Sequence, residues 1–530
     1  MEQDLQNNGV SPQPWPPASE KPLFTIEKRD IVFAVCAVLL GIFTSFSGVF
    51  GDFSLGYSLT CIAMTALFTV YFAKGAKIRP FPVLCGLLSL TNASVFFCTS
   101  NISVRFFSII LCFLLSLVCF DGMIRGSTKG NRQTLGIFYS AFTSIENMGI
   151  CIKSLFTNSD GSRRAIGKVL LGLLCAVPVL FVVVPLLLSS DDAFRGMMDN
   201  LFADTGSTVF KTVLGIGISL FVITYGISLK ADRIGKIRPG RTSGIENIYI
   251  VSFLSAISIC YLLYLFSQLA YFFSAFKGFL PDGEITYAQY ARKGFFEMCA
   301  IAVINLAIVF LSVLLAKKEN GKLSPGIKAV TTFIALFTLI IIATAISKMV
   351  LYIDTYGMTI LRLTTSAFML FLAVVFISVI LRIYTSKVNI LKTALVCASC
   401  ILVILGAANV NTVCAAYNYE SYRSGKLDSI DVEAIYFLGD EGIPYLIKLV
   451  DSPDAAVSAE AAHCLAKAYR YDYFEDVAHI RHLTVEKLKQ HQIDTGFSQY
   501  SIPKARAYKC LYDYLELNPN FCDKYPAPLS

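Results

Sequence analysis

Three connections between apolar runs hold the side chains best suited to chemistry: LLLSSDDAFRGMMDN, LPDGEITYAQYARKGFFE and SKMVLYIDTYGMTILRL. The residues singled out from them as one binding cluster are Asp191, Asp192, Tyr290, Arg292, Glu297, Lys348, Asp354 and Arg362. Acids and bases at helix ends near headgroup level can hold a charged headgroup, exchange a proton or orient a phosphate. Glu297 beside Arg292 stands where a helix begins to enter lipid, and a lone acid there is costly. The competing reading of each residue is an anchor: tyrosines form an aromatic belt, lysines and arginines snorkel, and aspartates cap helices.

No reaction follows from these residues. The chain has no Walker loop, no G-x-G-x-x-G, no H-E-x-x-H and no histidine before His463, which removes most membrane metalloproteases and histidine-dependent acyltransferases. The four histidines, His463, His479, His482 and His491, match no zinc spacing even with Asp476 nearby, so neither a metal nor a cofactor is expected.

The elements that must position such a cluster are membrane helices. The composition is 55% hydrophobic and only 15% charged, with a mean hydropathy of +0.62, which is not that of a soluble chain. Continuous runs of about 20 apolar residues cross hydrocarbon as helices, whereas a β-barrel needs short alternating strands. The expected fold is all-α: a polytopic bundle of about eleven spans with a small soluble helical domain at the C-terminus. The spans fall at 31–50, 55–73, 81–99, 102–120, 169–188, 209–229, 248–273, 295–316, 330–346, 363–381 and 391–410.

Charge gives the orientation. With the N-terminus cytoplasmic, the inner segments hold 25 Lys and Arg and the outer ones 8, leaving 12 after Val410. Cytoplasmic loops retain positive charge, so the C-terminal domain is expected outside. The weakest span is the one at Ile102, because Arg105 lies in its first turn. The membrane part nets +13 and the C-terminal part −5, so the overall +8 reflects topology and gives no support to nucleic-acid binding.

The expected divisions are a disordered cytoplasmic tail over 1–30, four spans over 31–120, a cytoplasmic connection over 121–168, a seven-span core over 169–410 and an extracytoplasmic helical domain over 411–530. In the connection, Leu135, Phe138, Phe142, Ile145, Ile152 and Phe156 recur at helical spacing opposite Ser140, Ser144, Asn147 and Ser154. That pattern predicts an interfacial helix with its apolar face toward acyl chains.

YAQYARKGFFE, LLLSSDDAF and YIDTYGMTILRL also carry a resemblance. Over about residues 169–391 the chain resembles an uncharacterised family of bacterial polytopic membrane proteins, the domain of unknown function 4173 group. The resemblance implies a bacterial cytoplasmic membrane protein and brings no catalytic residues with it.

After Val410 the hydropathy falls, and GDEGIPYLIKLVDSPDAAVSAEAAHCLAKAY looks like one HEAT-type helical pair. Cys414, Cys464, Cys510 and Cys522 would lie outside the cell, where pairing is permitted, with three connectivities open. The function expected is a non-catalytic envelope sensor or scaffold that binds lipid of the bilayer or, through its C-terminal domain, a protein partner. A transporter is one alternative. An outer-face transferase acting on lipid-linked substrates is another, and it requires Asp191, Asp192, Arg292, Glu297 and Arg362 to line one cleft.

Overall fold

An apolar run in hydrocarbon must satisfy its own backbone, and a helix does so within one segment. The computed structural model describes residues 24–49, 53–126, 131–157, 183, 205–233, 245–277, 295–317, 323–385, 387–471, 499–519 and 521. Among the described residues the chain is helical, and an isolated bridge between Ile245 and Ala316 stands in place of any strand. Ten helices there are long and apolar enough to span a bilayer. They coincide with ten of the expected spans; the remaining one, 169–188, lies outside the described residues apart from residue 183.

The first half of the bundle begins with α1 (Lys28–Phe43), which runs into a π-helical turn, Thr44–Val49. After it come α2 (Leu55–Phe72), α3 (Pro80–Ala93), the short α4 (Val95–Cys98) and α5 (Ile102–Ile124). Two amphipathic helices, α6 (Asn131–Ile145) and α7 (Met148–Thr157), precede α8 (Thr205–Lys230). Glycines let α1 and α8 cross closely. A methyl on Gly41 would lie 2.5 Å from the Gly215 carbonyl, and one on Gly215 would lie 2.6 Å from the Ile42 Cα. Small residues at such crossings let backbones approach where lipid supplies no hydrophobic drive.

The second half comprises α9 (Asn247–Lys277), α10 (Phe295–Leu315), α11 (Pro325–Tyr356) and α12 (Ile360–Tyr384). Its core includes Met298, Phe337 and Phe376. Next, α13 (Ile390–Ala408) packs on α12 and also on α3 and α5, so it joins the halves. Large apolar side chains point outward, with Val70 74% and Phe266 70% exposed. A surface of that kind suits lipid and not water.

Helices α6 and α7 bury their hydroxyl and amide face. Ser140, Ser144, Asn147 and Ser154 are buried, while Phe142 and Ile145 are exposed. Asn147 donates to the Arg233 carbonyl and the Ser154 hydroxyl accepts from the Phe24 amide, both at 2.9 Å.

The two ends of the bundle differ. At one end Lys230 meets Asp30, and the Lys77 amide donates to the Met123 carbonyl. The opposite end carries the C-terminal domain: α14 (Val410–Arg423), α15 (Val432–Tyr436), a 3-10 turn Gly439–Glu441, α16 (Ile443–Val450), α17 (Ala455–Tyr471) and α18 (Ile502–Leu517). Asn409, left-handed at φ 56°, separates α13 from α14. The domain's core of Cys414, Leu446, Leu465 and Leu511 also takes in Val95 and Val104 from the membrane helices. Cys414, Cys464 and Cys510 carry free thiols, and Cys522 lies outside the described residues.

Candidate functional site

Two adjoining cavities lie in the first half of the bundle, one among its helices and one where it meets the C-terminal domain. One, about 500 Å³, is a slot among α2, α3, α5 and α8. Aromatic rings dominate its wall, among them Tyr57, Phe68, Phe113 and Phe221, with hydroxyls and thiols from Thr60, Ser89, Cys61 and Cys112 between them. Thr44, at the start of the π-helical turn, also reaches it. Such turns often mark sites where a helix is opened for function. The lining runs from Tyr57 to Phe68 on α2, from Ile109 to Phe120 on α5 and from Leu214 to Tyr225 on α8. At 1.5 Å per residue each stretch is about 16 Å long, roughly half of a hydrocarbon core about 30 Å thick.

The second cavity, about 570 Å³, lies under the C-terminal domain. Ile109 lines both, so the two spaces lie within one side chain of each other. Charged and hydroxyl-bearing residues are more frequent on the wall of this chamber than on the slot's: Ser54, Ser100, Arg105, Asp440, Ser501 and Lys504 stand there among Val49, Phe53, Ile102 and Phe106. Arg105 is only 8% exposed, and its Nε donates to the Thr99 carbonyl at 2.7 Å. The Leu55 amide donates to the Tyr500 carbonyl at 3.1 Å, tying the start of α2 to the segment before α18.

The C-terminal domain is held over this end by two polar clasps. On the first half, Glu441 is 3% exposed and accepts from the Ser100 amide at 2.9 Å and from the Ser100 hydroxyl. Asn101 donates to Asn411 at 2.8 Å, and Asn409 donates to the Cys98 carbonyl at 3.1 Å. On the second half, Asn418 accepts from the Met358 amide at 2.7 Å and donates to the Met358 carbonyl at 2.8 Å. Beside it, Lys426 and the Tyr417 hydroxyl donate to Asp354 at 2.8 and 3.0 Å. Asp354 and Tyr417 push the Lys426 ammonium pKa up, holding it charged.

The sequence cluster divides on this frame. Asp191, Asp192, Tyr290 and Arg292 lie outside the described residues. Glu297 is exposed in the first turn of α10, and Lys348 is half-buried on α11. Asp354 belongs to the second clasp. Arg362 is engaged locally: its guanidinium caps the end of α11 through the Tyr356 carbonyl at 3.1 Å and stacks over Tyr352 at 4.0 Å. Asp354 and Arg362 therefore flank one turn, each with structural partners. Among the described residues, no three of His, Cys, Asp and Glu gather as a metal site would need.

Residues 24–449 match the family described as Domain of unknown function (DUF4153). The chain belongs to that family. The membership corrects the expected group, 4173, while keeping the status of an uncharacterised domain, and it reaches well beyond residues 169–391 at both ends. No curated protein and no solved structure matches. Family and helices together make the chain a multi-pass integral membrane protein.

The cavity residues of this family member were not singled out from sequence, with one partial exception. Thr60, Ser89, Cys112, Ser116 and Gly217 are each unremarkable in an apolar helix, and only packing of four helices brings them together. Arg105 did stand out, as a flaw in a span. A cation in the first turn of an apolar helix was the available signal, because intramembrane charges are retained mostly where they serve a site.

A second polar lock closes the opposite end. Asp30 is fully buried and accepts from the Tyr71 hydroxyl at 2.7 Å, from Lys230 at 2.9 Å and from the Glu27 amide at 2.8 Å. It ties α1 to α2 and α8, two walls of the slot, at the far end from the chamber.

Proposed function

We propose that this protein is a non-catalytic membrane sensor or scaffold that holds a lipid chain in the slot and presents its C-terminal domain to a protein partner. The observation that carries the reading is the apolar slot, which shares Ile109 with a second cavity beneath that domain. Ligand sites are typically concave, largely apolar and about 300–1,000 Å³. An acyl chain is the apolar ligand nearest to hand in a bilayer, and the slot's length matches one leaflet.

Occupancy has a route to the C-terminal domain. Ser100 and Arg105 line the chamber, and Ser100 is the residue that Glu441 clasps. In this reading the protein lies in a bacterial cytoplasmic membrane with its N-terminus inside and its HEAT-like pair, α16 and α17, outside. The excess of Lys and Arg in alternate loops supports that orientation.

Gly217 supplies the test. It lines the slot, and a Cβ built on it meets nothing within 4 Å. Gly217→Leu should fill the slot without disturbing the helix, since Gly is the poorer helix former by about 1 kcal/mol. Native mass spectrometry of the full chain in micelles should show bound lipid lost by at least about tenfold, with the melting temperature unchanged or raised. Wild-type lipid retention in Gly217→Leu would remove the slot as the site.

A further inference from the structure

We infer that the slot measures the chain it holds: Phe68, Phe120 and Tyr225 close its inner end as an aromatic floor, so the occupant is a straight acyl chain no longer than about the depth of one leaflet. This rests on the lipid-binding reading and adds the length class of the lipid and the residues that set it.

The direction of the helices locates the floor. Helices α2 and α5 start beside the C-terminal domain: the Leu55 amide donates to the Tyr500 carbonyl, and Ile102 stands on the wall of the chamber. Both end on the opposite side, where the Lys77 amide meets the Met123 carbonyl. Helix α8 ends there too, since Lys230 and Tyr71 share Asp30. The three helices therefore run the same way. On each, the last residue to line the slot is aromatic: Phe68 on α2, Phe120 on α5 and Tyr225 on α8.

These three rings meet. Phe68 stacks on Phe120 with centroids 4.9 Å apart and takes Tyr225 edge-on at 6.2 Å. None of the three is more than 6% exposed. Phe72, one turn further inward on α2, stacks on Phe68 at 5.9 Å, and Phe33 packs edge-on against it at 5.5 Å. Ring pairs in these arrangements attract beyond their buried area, so the floor resists being pushed aside.

Charge lies just past it. Asp121 pairs with Arg125 at the inner end of α5, and Asp30 pairs with Lys230 at 2.9 Å; both acids are fully buried. A chain end forced that far would disturb ion pairs that tolerate burial only while their partners stay in place. Above the floor each buried methylene adds about fourfold in affinity. That gain stops at the rings, and a longer chain must buckle or leave methylenes outside.

The experiment uses the full chain in a steroid-based detergent, which has no straight chain to compete. An equimolar mixture of even-numbered lysophosphatidylcholines from decanoyl to stearoyl is offered, and bound species are read by native mass spectrometry. One length should dominate, with the homologue two steps longer depleted at least about tenfold. Phe120→Leu, which lowers the floor, should move the maximum to a longer chain, and Phe68→Leu should do the same from α2. Melting temperatures identify a variant that has lost its packing, and the wild-type profile decides the question without either variant.

Bound lipid that follows the mixture at every length, or keeps rising to the longest chain, would overturn the floor; Gly217→Leu still abolishing binding would then leave the slot as the site. No bound lipid at any length would overturn the underlying reading instead. A wild-type optimum that neither folded variant moves would place the limit elsewhere and sink the assignment to these rings.

Discussion

At the residue scale, the polar side chains with the most consequence join elements far apart in sequence. Glu441 accepts from the Ser100 backbone and side chain, 341 residues away. Glu441→Ala leaves the half-buried Ser100 amide without its acceptor, which costs about 1 kcal/mol. Thermal unfolding in micelles should show that loss, and Glu441→Gln, which keeps one carbonyl acceptor, should recover part of it. Equal stability of all three proteins would mean that the clasp holds nothing. Cys414 offers an independent readout of the same domain. It is buried in the core shared with Val95 and Val104, and burial pushes its thiol up to about 12. Since only the thiolate attacks alkylating reagents, Cys414 should resist iodoacetamide at pH 8.5 in the folded protein and react once denatured. Peptide mass spectrometry checks this, and ready alkylation of the folded chain would show that the domain opens.

At the element scale, helix existence was legible and helix partnership was not. Apolar runs fix spans because lipid leaves the backbone few choices, and the expected run 330–346 lies inside the longer α11. Residues beyond hydrocarbon thickness gave no hydropathy signal, yet they extend α11 to the turn that Asn418 clamps. The amphipathic pattern of α6 was legible too. The candidate site was scarcely legible, because charged loops attract attention while a cavity is built from small or hydroxyl-bearing residues on several helices. Gly41 and Gly217 show the difference. Both sit in apolar helices, but a Cβ on Gly41 would lie 2.5 Å from the Gly215 backbone oxygen, whereas one on Gly217 meets open space. Gly41→Val should therefore destabilise by about 1–3 kcal/mol through overpacking. Gly217→Ala should be neutral or stabilise by up to about 1 kcal/mol. Melting temperatures of the two variants against the wild type decide it, and an equal effect at both sites would refute the α1–α8 crossing.

At the scale of the whole molecule, the C-terminal domain acts as a bridge between the halves on one end of the bundle. Glu441, Asn409 and Asn411 grip the α4–α5 loop, while Tyr417, Asn418 and Lys426 grip the α11–α12 turn. Helix α13 also joins the halves, packing on α12 and on α3 and α5. Because Lys77 and Met123 meet at the opposite end, the loop near Lys74 and the turn at Ser424 must face opposite sides of any bilayer the bundle spans. Both residues are exposed, so Lys74→Cys and Ser424→Cys can be tested with a membrane-impermeant maleimide on intact cells, above the background of the native thiols. The excess of Lys and Arg in alternate loops predicts labelling at 424 and protection at 74 until the membrane is permeabilised. The reverse result would invert the orientation and put the chamber in the inner leaflet with its architecture unchanged. Labelling of both positions in intact cells would break the end-to-end relation on which the slot, the chamber and the clasps all depend.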